Sequence, residues 1–307
     1  MKKILFLCSF TSVLSLNSQN LPKVSAGSVQ HIDSFKSKFV NPRNVDIWLP
    51  EGYNPKSKYA VLYMHDGQML FDSTTTWNKQ EWGVDETLTQ LMTENKIKNC
   101  IVVAIFNNGK TRHSEYFPQK PFESLPKTVQ DSLLNQAKRN PQTALFAAPI
   151  QSDAYLKFLV LELKPYVDSH FSTKSNRENT FIAGSSMGGL ISMYAICEYP
   201  SVFGGAACLS THWLGIMPSE NNPVPDAFMD YLKTHLPDPK THKMYFDFGT
   251  ATLDAYYEPH QNAADTILKT KGFSQKNWLT RKYEGDAHTE QAWRGRLAIP
   301  MVFLLKK

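Results

Sequence analysis

The stretch Phe181-Ile182-Ala183-Gly184-Ser185-Ser186-Met187-Gly188-Gly189-Leu190 decides how this chain is read. An apolar run meets a Gly-x-Ser-x-Gly pentapeptide, and a helix-forming run follows. That is the strand–turn–helix setting in which a serine becomes a nucleophile. The reversal is so tight that Ser186 must take a strained conformation and its neighbours must be small. Gly184 and Gly188 remove the Cβ atoms that would collide on either side, and Gly189 relaxes the same crowding. The turn lifts the Ser186 hydroxyl clear of the backbone. It also aims the unpaired amides of a helix N-terminus at whatever the serine attacks. Residues 180–183 read as a short buried strand, and residues 190–198 as a buried helix ending before Pro200.

Outward from this turn, strand-like and helix-like runs alternate. Strands are expected at residues 44–49, 59–65, 100–106, 204–209, 243–248 and 278–283. Helices are expected at 85–94, 154–169, 226–233 and 261–269, with a last one from about Thr289. The strands are nearly continuous in apolar residues, which predicts an α/β protein with a mostly parallel central sheet and helices on both faces. One segment breaks the rhythm. Residues 117–152 carry Pro118, Pro121, Pro126, Pro141 and Pro149 among polar residues. It reads as an insertion over the strand ends, either a lid or substrate wall or a plain surface excursion, and admits a helix over residues 128–138.

The chain has 307 residues, 42% of them hydrophobic, and a formal charge of +5 to which Lys2 and Lys3 contribute. The length suits one large domain. No Lys/Arg cluster is dense enough for a nucleic-acid surface, so that class is set aside. Residues 1–18 read as an export signal: Met1-Lys2-Lys3, an apolar run to about Leu16, and a small or polar exit with cleavage near Ser18. A buried first helix is the plainer alternative. Lipidation of Cys8 is disfavoured because Leu5-Phe6-Leu7 puts no small residue beside it. The expectation is a periplasmic or secreted protein with one domain over residues 19–307 and no membrane span. Cys100, Cys197 and Cys208 each sit in an apolar run, so they read as core residues rather than a disulfide framework. No Cys/His spacing suggests a metal site, and no cofactor is expected.

A serine hydroxyl needs a base, and the base needs a group to orient it. On sheets of this kind the chain order is serine, acid, histidine. His288 follows the strand at 278–283 through Glu284-Gly285-Asp286-Ala287 and precedes the last helix, so it is the expected base; His242 and His260 read as surface groups. Asp254 follows the penultimate strand and is the first choice for the acid. Asp247, inside that strand, and Glu258, further on, remain alternatives. Asp286 reads as a turn residue. The oxyanion hole needs two backbone donors. Met187 supplies one, and the loop His65-Asp66-Gly67-Gln68 supplies the other through Gln68, with Gly67 allowing close approach.

These residues together resemble the esterase D family of α/β-hydrolases, which includes feruloyl and acetylxylan esterases, enterochelin-type esterases and mycolyltransferases. The matching residues are His65-Asp66-Gly67-Gln68-Met69-Leu70-Phe71-Asp72, Trp82-Gly83-Val84-Asp85, Arg112 with Glu115-Tyr116, the turn around Ser186, Phe246-Asp247-Phe248-Gly249-Thr250, and His288 with Trp293. The resemblance runs from about Val29 to Leu305 and implies the α/β-hydrolase fold and serine esterase chemistry. One departure stands out: several relatives place the acid directly after the Gly-Thr pair, where this chain has Ala251 and Thr252.

Ligands on such sheets bind beyond the carboxyl ends of the strands. Arg112, Tyr116, His212 and Trp213 follow such ends and are expected to wall the pocket, with ordinary loop packing as the alternative. The resulting expectation is a secreted serine esterase acting on a small-molecule or oligosaccharide ester, acetyl or feruloyl. A siderophore esterase or acyltransferase, and an inactive ligand-binding module, are the rival readings.

Overall fold

Strands form where short apolar runs are bounded by turn residues. In chain order they are β1 (Ser28–Phe35), β2 (Arg43–Leu49), β3 (Ala60–His65), β4 (Cys100–Ile105), the short pair β5 (Lys138–Asn140) and β6 (Thr143–Ala144), β7 (Thr180–Ser185), β8 (Gly205–Leu209), β9 (Lys243–Gly249) and β10 (Trp278–Tyr283). The computed structural model describes residues 21–307. The export segment read at 1–18, Cys8 included, lies outside the described residues.

Eight strands form one sheet in the order β1-β2-β4-β3-β7-β8-β9-β10. Only β2 runs against its neighbours; the other pairings, from β4 to β10, are parallel. β3, β4, β7 and β8 are buried at every position. That is why they read as continuous apolar runs rather than alternating ones. The pleat still sorts their side chains. Val61 and Tyr63 of β3 join one core, with residues of helices Met187–Glu198, Val224–His235 and Glu258–Thr270. Ala60, Leu62 and Met64 join the core on the other face, with helices Val84–Thr93 and Ala298–Leu305. β1 escaped the sequence reading. It is an edge strand with no fully buried residue, so its apolar signal is weak.

The helix Met187–Glu198 is buried along all but its last residue, so it has no polar stripe. The run read as one helix at 154–169 is three pieces: Ser152–Lys157, a wide π turn at Phe158–Leu163, and Lys164–His170. The wide turn ends beside Pro165, which has no amide to continue the ladder. Residues 117–152 fold into helices Gln119–Ser124 and Lys127–Gln136 and then the β5–β6 hairpin. Cys100, Cys197 and Cys208 are buried free thiols. His242, expected at the surface, is buried, with its ring nitrogens against the carbonyl oxygens of Asp238 and Pro200.

Two glycines test how tightly the turn at Ser186 is packed. A Cβ on Gly184 would stand 2.7 Å from the Gly188 carbonyl group, whereas one on Gly295, within helix Glu290–Arg296, would meet open space. Gly184→Ala is expected to lower unfolding stability by about 1–3 kcal/mol. Gly295→Ala is expected to raise it by about 0.4–1 kcal/mol. Urea denaturation of both variants checks the contrast.

Candidate active site

Ser186 joins β7 to the helix Met187–Glu198 with φ 56° and ψ −122°. A non-glycine residue there costs about 1–3 kcal/mol and persists only where its surroundings impose it. The surroundings do so here. The Ser186 amide donates to the Leu209 carbonyl at 2.9 Å, and its own carbonyl accepts from the amides of Leu190 at 3.0 Å and His212 at 3.2 Å. Gly189 packs so closely that a Cβ would lie 2.9 Å from the Leu209 oxygen. The Met187 amide opens the helix, where no carbonyl of the same helix can receive it.

His288 lies on the loop after β10. Its amide donates to the Thr252 hydroxyl at 2.9 Å, and its Nδ1 lies 2.5 Å from Asp254 Oδ1. The ring meets Trp293 edge-on at 5.0 Å. Asp254 sits on the short turn Thr252–Tyr256 after β9. Its Oδ2 accepts from the Ser210 hydroxyl at 2.5 Å and the Gly249 amide at 2.6 Å. Burial pushes the Asp254 carboxyl up, but the bonds from His288, Ser210 and Gly249 outweigh it and hold the group below the usual carboxylate range.

The alternatives for the acid are engaged elsewhere. Asp247 accepts from the Ser210 amide at 3.0 Å and the Tyr245 hydroxyl at 2.9 Å, and it pairs with Arg296 at 3.0 Å. Burial, only partly offset by Arg296, raises its carboxyl to about 6. Glu258 pairs with Lys282 near the surface at 3.0 Å. Asp286 accepts from Arg296 at 3.1 Å, and its carbonyl receives the amides of Thr250 and Ala251. Two residues that the sequence reading passed over, Ser210 and Arg296, hold this cluster. The Ser210 hydroxyl also accepts from Trp293 Nε1 at 2.9 Å and from Arg296 at 2.7 Å.

On the other side of the Ser186 turn, Asp66 takes the left-handed conformation, φ 58° and ψ 44°, and starts the turn Gly67–Met69. A Cβ on Gly67 would stand 2.5 Å from the Ala104 carbonyl carbon, so the loop lies directly on β4 and only glycine fits. Arg112 forks onto Asp66 through Nε at 2.7 Å and Nη2 at 2.6 Å. The helix Arg112–Tyr116 is pinned a second time by a buried fork: Arg43 Nη1 and Nη2 donate to the Glu115 oxygens at 2.8 and 2.9 Å.

A cleft of about 1060 Å³ opens over these residues, lined by Ser186, His288, Gln68, Arg112 and Trp293 among others. Three of the four expected wall residues are not part of it. Trp213 is fully buried, with Nε1 bonded to Gln261 at 2.8 Å and its ring on Phe246. Tyr116 is fully buried beneath the Arg112 guanidinium. His212 is buried with Nδ1 2.7 Å from the Tyr257 hydroxyl; burial, then the charges of His113, His288 and Arg112, keep its pKa well below the usual value. Their strands end as read, but the loops turn these bulky rings inward to fill core beneath the cleft. The wall comes instead from the β5–β6 hairpin, through Arg139, Gln142, Thr143 and Ala144, and from Trp77, which is 83% exposed. Among the described residues no three His, Cys, Asp or Glu side chains cluster as metal ligands, and no helix is long and apolar enough to cross a membrane.

A family profile described as "Putative esterase" matches residues 37–301. The chain belongs to this esterase family. An "Endo-1,4-beta-xylanase/feruloyl esterase" of Xylanibacter ruminicola is 24% identical over 277 residues, 88% of this chain but only 30% of that protein. A solved ferulic acid esterase superposes with a TM-score of 0.64 at 16% identity, covering 91% of this chain and 98% of that one. The enterobactin esterase of Shigella flexneri superposes with a TM-score of 0.63 at 19% identity, covering 92% and 60%. The chain has the α/β-hydrolase fold, with a mostly parallel central sheet.

The inward position of Trp213 sets an expectation of its own. Trp213→Ala removes a buried ring and leaves the Gln261 carbonyl oxygen without its donor. Stability is expected to fall by about 3–5 kcal/mol. Any loss of turnover should be equal for small and bulky esters, as denaturation and paired kinetics would show.

Proposed function

We propose that this chain is a serine carboxylic-ester hydrolase with Ser186 as nucleophile, His288 as general base and Asp254 as the group that orients the base. One observation carries the reading: His288, its Nδ1 2.5 Å from the buried Asp254, lines the same cleft as the strained Ser186. With Nδ1 committed to Asp254, Nε2 of His288 is the nitrogen left to take the serine proton. Oγ of Ser186 attacks the ester carbonyl carbon as Nε2 accepts its proton. The carbonyl oxygen becomes an oxyanion, received by the amides of Met187 and Gln68. Collapse breaks the bond to the alcohol oxygen, which leaves with the proton from His288, and the acyl group stays on Ser186. Water then attacks the acyl carbon and gives a proton to His288; the bond to Ser186 Oγ breaks as His288 returns that proton to Oγ, releasing the carboxylic acid and the free serine.

The substrate is an ester on a saccharide, acetyl or feruloyl. The family membership and the feruloyl esterase named among the relatives support this reading. A siderophore-type ester is the second reading, supported by the comparable superposition on an enterobactin esterase. The protein is exported through residues 1–18 and works as one domain over residues 19–307, in keeping with an enzyme for polymers or chelates outside the cell.

Ser186→Ala is expected to reduce hydrolysis of 4-nitrophenyl acetate by about 10⁴-fold or more while the circular dichroism spectrum stays unchanged. A variant keeping a tenth of the activity would show that another residue attacks.

Asp254→Asn leaves the fold of the turn but exchanges an acceptor for an amide at His288 Nδ1. kcat is expected to fall by about 10³- to 10⁴-fold with KM little changed. Asp247→Asn, away from the His288 ring, should act on stability. The opposite pattern in kinetics and melting would reassign the acid.

A further inference from the structure

The cleft holds more positive charge than the protein neutralises. Lys110, Arg112 and Arg139 line it, against the carboxylates of Asp66 and Glu290. Arg112 is matched by its fork onto Asp66. Glu290 is bound by the Asn78 amide at 2.8 Å. Lys110 and Arg139 form no ion pair among the described residues. They reach the cleft from separate elements, Lys110 from the turn Gly109–Thr111 after β4 and Arg139 from the β5–β6 hairpin. Partial burial, then the charge of Arg112, lowers the pKa of Arg139, so two guanidinium groups stand in each other's field. A concave site with low-dielectric walls concentrates such a field onto what enters it. At the same cleft the Trp77 indole offers a broad apolar face to solvent, a surface on which a sugar or aromatic ring stacks.

We propose that Lys110 and Arg139 make this cleft selective for esters that carry a negative charge on a ring near the scissile bond. The inference rests on the serine esterase reading above. Two kinds of molecule share this chemistry: a saccharide bearing a uronic acid, and a catecholate. Neutral esters enter the same cleft without the electrostatic contribution, so the charge sets preference rather than chemistry.

The test measures kcat/KM for three esters: a neutral acetylated xylo-oligosaccharide, the same oligosaccharide with a glucuronic acid branch, and the ferric complex of a catechol-bearing trilactone, in which the metal holds the catechols ionised. Wild type is compared with the double variant Lys110→Gln, Arg139→Gln and with Arg139→Glu. The wild type is expected to prefer one of the charged esters over the neutral one, and which of them identifies the ring. The double variant should lower that charged-to-neutral ratio by about three- to thirty-fold, mostly through KM, and added salt should do the same to the wild type. Arg139→Glu changes the cleft charge by as much as the double variant and should lower the ratio comparably. An unchanged ratio in variants that still hydrolyse 4-nitrophenyl acetate overturns the proposal, as does a wild type indifferent to charge. A wild type inactive on 4-nitrophenyl acetate as well would instead bring down the esterase reading itself.

Discussion

The backbone of Ser186 is the constraint on which the rest of the site is arranged. A residue at φ 56° and ψ −122° does not hold itself there. It is held because its amide is tied to β8 through Leu209 and its carbonyl anchors both the new helix and the loop at His212. The glycines around it are the steric counterpart. Gly184 and Gly189 touch backbone on both sides, and Gly188 stands against His65 and Asp66. The turn therefore fixes three things together: the exposure of one hydroxyl, the start of a helix, and the seat of the loop opposite.

Around this turn, buried charges are set against one another. Asp254 and Asp247 are both buried, and two carboxylates so close would repel unless something stood between them. Ser210 and Arg296 stand there. Ser210 gives its hydroxyl to Asp254 and its amide to Asp247, while Arg296 reaches Asp247 and the Ser210 oxygen. The outcome is a division of labour by environment. Asp254 is held ionised beside His288, and Asp247 is pushed up and turned toward Tyr245. On the far side the Arg43–Glu115 and Arg112–Asp66 forks fix one short helix at both ends.

Most of the fold was legible in the sequence because central parallel strands must be apolar on both faces, as in Cys100–Ile105. The edge strand Ser28–Phe35 was not, since half-exposed positions carry little pattern. The elements carrying Ser186, Asp254 and His288 were readable from strand–loop order. Ser210 and Arg296 were not, because an isolated serine and a helix arginine announce nothing until folding brings them to the same carboxylates. Trp213 shows the opposite limit. Its place after β8 was legible, but whether a large ring turns toward solvent or core depends on Gln261 and Phe246, which are remote in sequence. Trp77 was passed over because it belongs to no motif, whereas Arg139 lies in the segment 117–152 read as a possible substrate wall, without being singled out.

The spacing of the site along the chain bears on how the protein is made. Its parts are the loop at Asp66, the turn at Ser186, the carboxylate at Asp254, the imidazole at His288 and the clamp at Arg296. Strand pairings of long sequence separation form late, after the chain has closed large loops. A ribosome exposes the serine about a hundred residues before the histidine. On the proposed assignment, the nascent polypeptide during that interval has a nucleophile without its base, and a serine hydroxyl without a base is a poor nucleophile. Under that assignment, full competence arrives only with His288 and the helices that follow it, and a partly synthesised copy is far less active than the folded protein.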